Sequence, residues 1–330
     1  MNMTSALLRI NDLTVAFKTP RGEALAVNRL NLELNDGQIL GIVGESGSGK
    51  SLTSLAIMGL LPGAVSRVEG SILFREDNLL AKTERQMRAI RGIEIAMIFQ
   101  EPMTSLNPAY TIGNQLIETI RLHQRLCKKQ AYARAIEMLK LVRIPSPDKR
   151  MRQYPHELSG GMRQRVMIAI ALSCHPKILI ADEPTTALDV TIQADIIDLL
   201  KELRDTLSMS IIMISHDLGA ISEIADRVMV MYAGEAVEYG GVERIFSLPA
   251  HPYTRGLLRS IPSLSEKRRR LETIAGSVPA GGELPSGCAF HPRCPYRRPV
   301  CESDDPEWTA SGDGGVKCWM HTKEWETADV

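Results

Sequence analysis

Residues 44–51 read Gly44-Glu45-Ser46-Gly47-Ser48-Gly49-Lys50-Ser51. This is the order of a phosphate-binding loop: Gly, any four residues, Gly, Lys, then Ser or Thr. The flanks agree with it. Ile39-Leu40-Gly41-Ile42-Val43 before the loop is apolar and of strand length. After it, Leu52-Thr53-Ser54-Leu55-Ala56-Ile57-Met58 sets apolar residues at helical spacing. Strand, Gly-rich loop and helix together are the context in which the motif works. Glycines let the backbone curl until its N–H groups face phosphate oxygens, and the helix N-terminus adds positive potential. The stretch from Gly44 to Leu52 is therefore the expected triphosphate cradle. Lys50 is expected to reach the β- and γ-phosphates, and the Ser51 hydroxyl to ligate magnesium.

Upstream, Leu7–Phe17 and Glu23–Leu34 alternate apolar and polar residues, as half-buried antiparallel strands do. Pro20, Arg21 and Gly22 mark the turn between them. Phe17, one of five phenylalanines, is placed to stack on a purine or simply to fill the core.

Downstream, strands are expected at Gly70–Phe74 and Ile93–Phe99, with a charged helix near Thr83–Arg91. Gln100 ends the second of these strands, where α/β folds place ligands. Glu101 to Pro108 is bounded by prolines and reads as a loop, and residues 111–141 read as helical. At Leu158-Ser159-Gly160-Gly161-Met162-Arg163-Gln164, Ser159 can cap a helix whose exposed N–H groups follow. Ile178-Leu179-Ile180-Ala181 is a buried-strand run ending in Asp182-Glu183. Two carboxylates at the end of an apolar strand need partners. In a phosphate-loop protein the first suits magnesium and the second a base that activates water. Ala187-Leu188-Asp189 then precedes a helix over about Ile192–Leu207, and the strand Ser210–Ile214 leads to His216.

The chain has 330 residues, 44% hydrophobic and 24% charged, with formal net charge zero. These values describe a globular protein of about two domains, and bulk charge points to neither nucleic acid nor lipid. No run of 18 apolar residues occurs, and Met1–Arg9 lacks the layout of a secretory signal, so the cytoplasm is the expected location.

Taken together and in this order, these motifs resemble those of the ATPase subunits of ATP-binding-cassette transporters. Gly44–Ser51 corresponds to Walker A, Gln100 to the Q-loop and Leu158–Gln164 to the signature. Ile178–Glu183 corresponds to Walker B, Ala187–Asp189 to the D-loop, and His216 to the switch histidine. Phe17 falls at the adenine-stacking position, usually Tyr, with Val27 touching the same ring. The tail residues His251-Pro252-Tyr253-Thr254-Arg255-Gly256-Leu257-Leu258, Pro279, Gly287-Cys288 and Pro292-Arg293-Cys294-Pro295 resemble the C-terminal extension of the oligopeptide/dipeptide/nickel importer subfamily.

The resemblance implies an α/β P-loop core with an antiparallel β subdomain and an inserted helical subdomain at about 101–172. The ATPase domain would span 1–248, and a small cysteine-bearing C-terminal domain 249–330. It implies ATP and magnesium as cofactors, with the metal on Ser51, Gln100 and Asp182. Glu183 polarises the attacking water and His216 holds the γ-phosphate. Ser159, Gly160 and Gly161 complete the site of a second, homologous ATPase subunit. The implied partners are two transmembrane permeases and an extracytoplasmic peptide-binding protein, with the chain peripheral on the cytoplasmic face of the inner membrane and no nucleic acid bound. Peptide uptake is the implied function. A nickel chelate as solute, or a soluble cassette ATPase acting on nucleic acid or ribosomes, are the alternatives.

Four of six cysteines fall in the last 43 residues, with five, six and sixteen residues between Cys288, Cys294, Cys301 and Cys318. In a cytoplasmic chain such crowding favours a metal over disulfides. Zinc pairs are usually closer in sequence, and four thiolates also suit a [4Fe–4S] cluster, which ATPases of this subfamily can carry. Iron–sulfur, zinc and free thiols all stay open. Cys127 and Cys174 read as buried hydrophobes in helices, and Lys267-Arg268-Arg269-Arg270 as a solvated basic run.

Overall fold

The computed structural model describes residues 6–20, 22–100, 105–186, 188–260, 273–279, 283–323 and 325. Glu101 to Thr104 of the Pro-bounded loop, Ala187 of the D-loop, the basic run Lys267–Arg270 and, except for Trp325, the final seven residues lie outside the described residues. The chain divides into two compact units. One comprises the described parts of Met1–Asn35, Ile39–Ala81 and Ser215–Val330, the other Asp36–Gln38 and Lys82–Ile214.

The first unit opens with β1 (Leu8–Thr19), β2 (Gly22–Leu34), β3 (Ile39–Val43), α1 (Lys50–Ile57), β4 (Val65–Phe74) and β5 (Asp77–Asn78). The second carries α2 (Glu84–Ile90), β6 (Ile95–Ile98), α3 (Ile112–Gln124), α4 (Lys128–Leu141), α5 (Pro147–Arg150), α6 (Gly160–Leu172), β7 (Ile178–Asp182), α7 (Val190–Leu207) and β8 (Ser210–Ser215). The chain then returns to the first unit through α8 (Leu218–Ile224), β9 (Arg227–Tyr232), β10 (Glu235–Gly241), α9 (Val242–Ser247), α10 (Pro252–Arg259), α11 (Pro299–Ser303), β11 (Trp308–Ser311) and β12 (Gly314–Lys317).

In the first unit, β1 lies between antiparallel β2 and β4, with Leu8 opposite Leu34 on one side and Phe74 on the other. The alternation read from Leu7–Phe17 gives way to four successive buried residues, Leu13–Ala16, where the β1–β2 register slips. A second sheet of the unit pairs β3 in parallel with β9 and adds β10, β12 and β11 antiparallel. In the second unit β6, β7 and β8 are parallel. All five residues of β3 and all five of β7 are buried. Strands covered on both faces lose the polar alternation, and each buried Ile or Leu contributes about 1.5–3 kcal/mol.

Two expectations are corrected. The helical block 111–141 is two helices, because Arg125 at the end of α3 is left-handed (φ 53°) and the chain restarts at Cys127. Cys127 is therefore an exposed residue at the N-cap of α4, not a buried hydrophobe, and Cys174 is half-buried beyond the end of α6. An N-cap residue has extended backbone outside the helical turn, so it does not share the helix's buried stripe.

The compact units do not part at residue 248. β12 continues the sheet by pairing with β10, Glu238 opposite Val316. Glu238, fully buried, accepts the backbone N–H groups of Ala250 (2.7 Å) and His251 (2.9 Å) at the start of the extension.

Candidate nucleotide site

The first unit supplies the phosphate loop, between β3 and α1. Gly44 (φ 152°) and Gly49 (φ 99°) adopt backbone conformations open to glycine. A Cβ on Gly44 would stand 2.2 Å from the Met231 carbonyl oxygen, and one on Gly49 2.7 Å from that of Ala26. No side chain caps α1 at Gly49, and the start of a helix is where backbone N–H groups favour an anion. Lys50 is buried, and its ammonium donates to the carbonyls of Gly44 (2.7 Å) and Glu45 (2.8 Å) and to Ser48 Oγ (3.3 Å). The cation is thus seated at the centre of the loop. Ser46 and Gly47 are exposed at its tip, Ser48 is buried, and Ser51 and Leu52 are half-buried on the first turn of α1.

Phe17, half-buried on β1, lies opposite Ala24 of β2 and Val65 of β4. Val27 on β2 is wholly buried and presents no exposed side-chain face to a base. His216 is exposed just past β8, and Asp217 after it caps α8 by accepting the N–H groups of Gly219 (2.8 Å) and Ala220 (3.3 Å).

The second unit supplies the carboxylates and the signature. Asp182 ends β7 almost fully buried. Glu183 follows in the left-handed region (φ 48°), its N–H donating to Ile214 O at 2.9 Å. Such a conformation costs of order 1 kcal/mol in a non-glycine residue, and it turns the chain out of the strand line at Glu183. The Glu183 carboxylate is held by two donors on one oxygen, Gln100 Nε2 at 2.9 Å and Thr186 Oγ1 at 2.8 Å. An oriented carboxylate at a strand end is equipped to take a proton from water. The structure thus joins Gln100 to Glu183, which the sequence reading placed separately. Thr186, the second of these partners, is singled out by nothing in the sequence.

Ser159 caps α6, accepting the Met162 N–H at 3.4 Å, and keeps its own hydroxyl proton for donation. Gly161 packs against α7, where a Cβ would stand 2.7 Å from Ile192 Cγ2. Asp189 of the D-loop caps α7 through the Ile192 N–H at 3.0 Å. Signature and D-loop are therefore two neighbouring helix starts.

Two further residues of the first unit touch the phosphate loop. The Glu45 N–H donates to Tyr253 Oη at 2.8 Å, and Arg293 donates to both Glu45 carboxylate oxygens at 2.7 and 3.0 Å. Burial pushes the Tyr253 hydroxyl well above its ordinary pKa. Burial works against the Arg293 charge, but the Glu45 hydrogen bonds more than offset it and hold its pKa above the usual value. Both residues lie in tail motifs quoted above, yet nothing in their spacing points to residue 45.

Cys288, Cys294, Cys301 and Cys318 line one small cavity of about 20 Å³, with His251 and Phe290 among its walls. The expected ligand set is not assembled there: among the described residues, no group of three or more His, Cys, Asp or Glu side chains could hold a metal ion. Burial pushes the Cys288 thiol to about 11 and the Cys318 thiol to about 12, and neighbouring thiols add to both shifts. Burial thus favours the neutral form of these two thiols. His251, wholly buried, is pushed down to about 3 by desolvation first and by the charges of His321, Arg255 and Lys317 after it.

A phosphate loop with a central lysine, an Asp-Glu strand end bonded to a glutamine, and a serine-capped glycine helix start define a P-loop nucleotide hydrolase of the cassette type. The ABC transporter family pattern matches residues 27–186, and the pattern described as "Oligopeptide/dipeptide transporter, C-terminal region" matches residues 237–301. The chain is 51% identical over 315 residues to a putative peptide import ATP-binding protein of Brucella abortus, covering 96% of this chain and 95% of that one. It is also 51% identical to the dipeptide transport ATP-binding protein DppD of Haemophilus influenzae, over 95% of each chain. Against the oligopeptide transport ATP-binding protein OppD of Salmonella typhimurium the identity is again 51%, over 92% of this chain and 90% of that one. The dimeric bacterial ABC transporter cassette MJ0796 matches in structure with a TM-score of 0.64 at 26% identity, covering 71% of this chain and 98% of that one. This chain belongs to the ATP-binding-cassette transporter ATPases and carries their oligopeptide/dipeptide-type C-terminal region. No helix among the described residues is long and apolar enough to cross a membrane.

Proposed function

We propose that this chain hydrolyses ATP to power uptake of di- or oligopeptides through a membrane importer. The observation that carries the reading is the oligopeptide/dipeptide-type region at 237–301, on a cassette whose relatives over nearly the whole chain are named for peptide import. In this reading Gly44–Leu52 receives the triphosphate, with the Lys50 ammonium turning from loop carbonyls to phosphate oxygens. Phe17 stacks on the adenine, with Val27 behind it. Ser51, Asp182 and Gln100 supply oxygen ligands of the kind magnesium takes, and the bound ion withdraws charge from the phosphates. Glu183, steadied by Gln100 and Thr186, accepts the proton of the attacking water, and His216 holds the γ-phosphate.

Ser159, Gly160 and Gly161 serve the site of a second, homologous ATPase subunit. Two permeases and an extracytoplasmic peptide-binding protein complete the assembly, and the chain sits peripherally on the cytoplasmic face of the inner membrane. Residues 1–248 form the ATPase domain, with its helical subdomain at about 101–172, and 249–330 the importer-type extension. The four C-terminal cysteines hold a [4Fe–4S] cluster, with zinc as the alternative. This rests on four thiols sharing one cavity, and binding would have to draw them closer than they stand. Metal analysis of anaerobically purified protein reads it: iron is expected, and zinc at about one per chain without iron contradicts the cluster.

Uptake of labelled peptides by cells lacking this gene tests the central reading. Uptake should be lost and should return with the wild-type gene but not with a Lys50→Ala copy. Normal peptide uptake with loss of nickel-chelate uptake would replace the substrate class. Normal uptake of both, with nucleic acid or ribosomes co-purifying with the chain, would replace the transporter reading.

A further inference from the structure

Glu45 is the second residue of the phosphate loop. A carboxylate there opposes the approach of a triphosphate, because like charges repel most where water is partly excluded. Its charge is met by Arg293, which lies 248 residues away in sequence. The Arg293 side chain is 5% exposed and that of Glu45 32%. The guanidinium forks onto both carboxylate oxygens at 2.7 and 3.0 Å. Its remaining donors reach Ala275 O (2.8 Å), Ile274 O (3.3 Å) and Tyr232 Oη (3.5 Å). All five N–H groups of the fork thus have acceptors, a geometry that lysine cannot reproduce.

A second hold acts on the backbone of the same residue. The Glu45 N–H donates to the hydroxyl of fully buried Tyr253 at 2.8 Å. The Tyr253 ring is fixed against Tyr232 (centroids 4.7 Å) and Phe290 (5.4 Å). Phe290 caps and Arg293 ends the same single turn, His291–Arg293. The two holds therefore come from residues of the C-terminal extension that meet at one ring cluster, Tyr253 and Phe290 packed with Tyr232 of β9.

We infer that Arg293 and Tyr253 are positioning residues for ATP binding: Arg293 neutralises and orients the Glu45 carboxylate, Tyr253 fixes the Glu45 backbone, and together they keep the loop N–H groups aimed at a triphosphate. The inference rests on the reading that Gly44–Leu52 holds ATP. It gives the extension a task in the chemistry of the loop beyond any it has in assembly.

ATP binding to the purified full-length chain tests it, by isothermal titration alongside steady-state kinetics and thermal melting. Arg293→Met should raise the Kd and KM for ATP about tenfold, since it leaves a partly buried carboxylate without its counter-charge, while kcat stays within about threefold. Arg293→Lys should fall between, keeping the charge but losing the fork. Tyr253→Phe, which keeps the ring packing, should weaken binding about threefold through the lost hydrogen bond. The decisive variant is Glu45→Gln combined with Arg293→Met. It removes the charge that Arg293 answers, so it should recover most of the lost affinity. Arg293→Met binding ATP as wild type does, or a double variant no better than the single with an equal loss of Tm, would overturn the inference and leave only a structural role. A wild-type chain that does not bind ATP would overturn the nucleotide reading, and this inference with it.

Discussion

His251 is held neutral by its surroundings. The ring is wholly buried, its Nδ1 accepts the Tyr253 N–H at 3.0 Å to cap α10, and desolvation lowers its pKa to about 3. Unfolded, the same ring titrates near 6.5. Because the folded value is depressed, the folded state binds fewer protons in between. Its stabilising effect is complete above pH 6.5 and is lost as pH falls toward 3, at about 1.4 kcal/mol per pH unit. His251→Asn keeps a capping acceptor and removes the titration. Thermal melting of the full chain between pH 7 and pH 4.5 should show a shallower fall in Tm for this variant than for wild type. Parallel slopes would show that the ring is not the group responsible. Placements that are local, such as Lys50 in its loop and Glu183 after its apolar strand, could be read from the sequence. The bonds from Arg293 and Tyr253 to Glu45 could not, because no periodicity or motif spacing links positions so far apart.

At the scale of elements, start signals carried most of the reading. Ser159 and Asp189 cap α6 and α7 as short polar residues before helices do, and the apolar runs of β3 and β7 are buried strands. The break between α3 and α4 was missed because Arg125 adopts a left-handed conformation, for which neither Gly nor Asn gave notice. Gly161 shows why the signature needs its second glycine. With Ile192 Cγ2 2.7 Å from where a Cβ would sit, Gly161→Ala must push α6 from the start of α7, at a cost of about 1–3 kcal/mol. Hydrolysis should fall at least about tenfold while ATP binding to the chain's own loop persists, because a displaced donor array loses transition-state stabilisation. Equal rates for variant and wild type under saturating ATP would show that this packing does not matter to the chemistry.

At the scale of the molecule, the α/β cassette was legible because the six motif groups occur in one order, and each sits where strand and helix ends place it. The division into compact units was less so. The sequence suggests an extension beginning at residue 249, and the described parts of 215–330 fall in one compact unit with the amino-terminal strands. β12 adds to β10 through backbone hydrogen bonds, and Glu238 buries its carboxylate on the chain turning into α10, neither of which composition announces. The four cysteines mark the opposite case: their crowding was plain in the sequence, and the structure places them on one cavity without gathering them as ligands.

The account stands on ATP hydrolysis with Glu183 as the base. The most direct test is phosphate release by the purified chain, compared with its Glu183→Gln variant under conditions where both bind ATP equally. The amide keeps the size of the carboxylate but cannot take the proton. The variant should therefore lose about 10²–10⁴-fold in hydrolysis rate while keeping its affinity for ATP. A variant that hydrolyses ATP within about tenfold of wild type would contradict the assignment of Glu183 as the base.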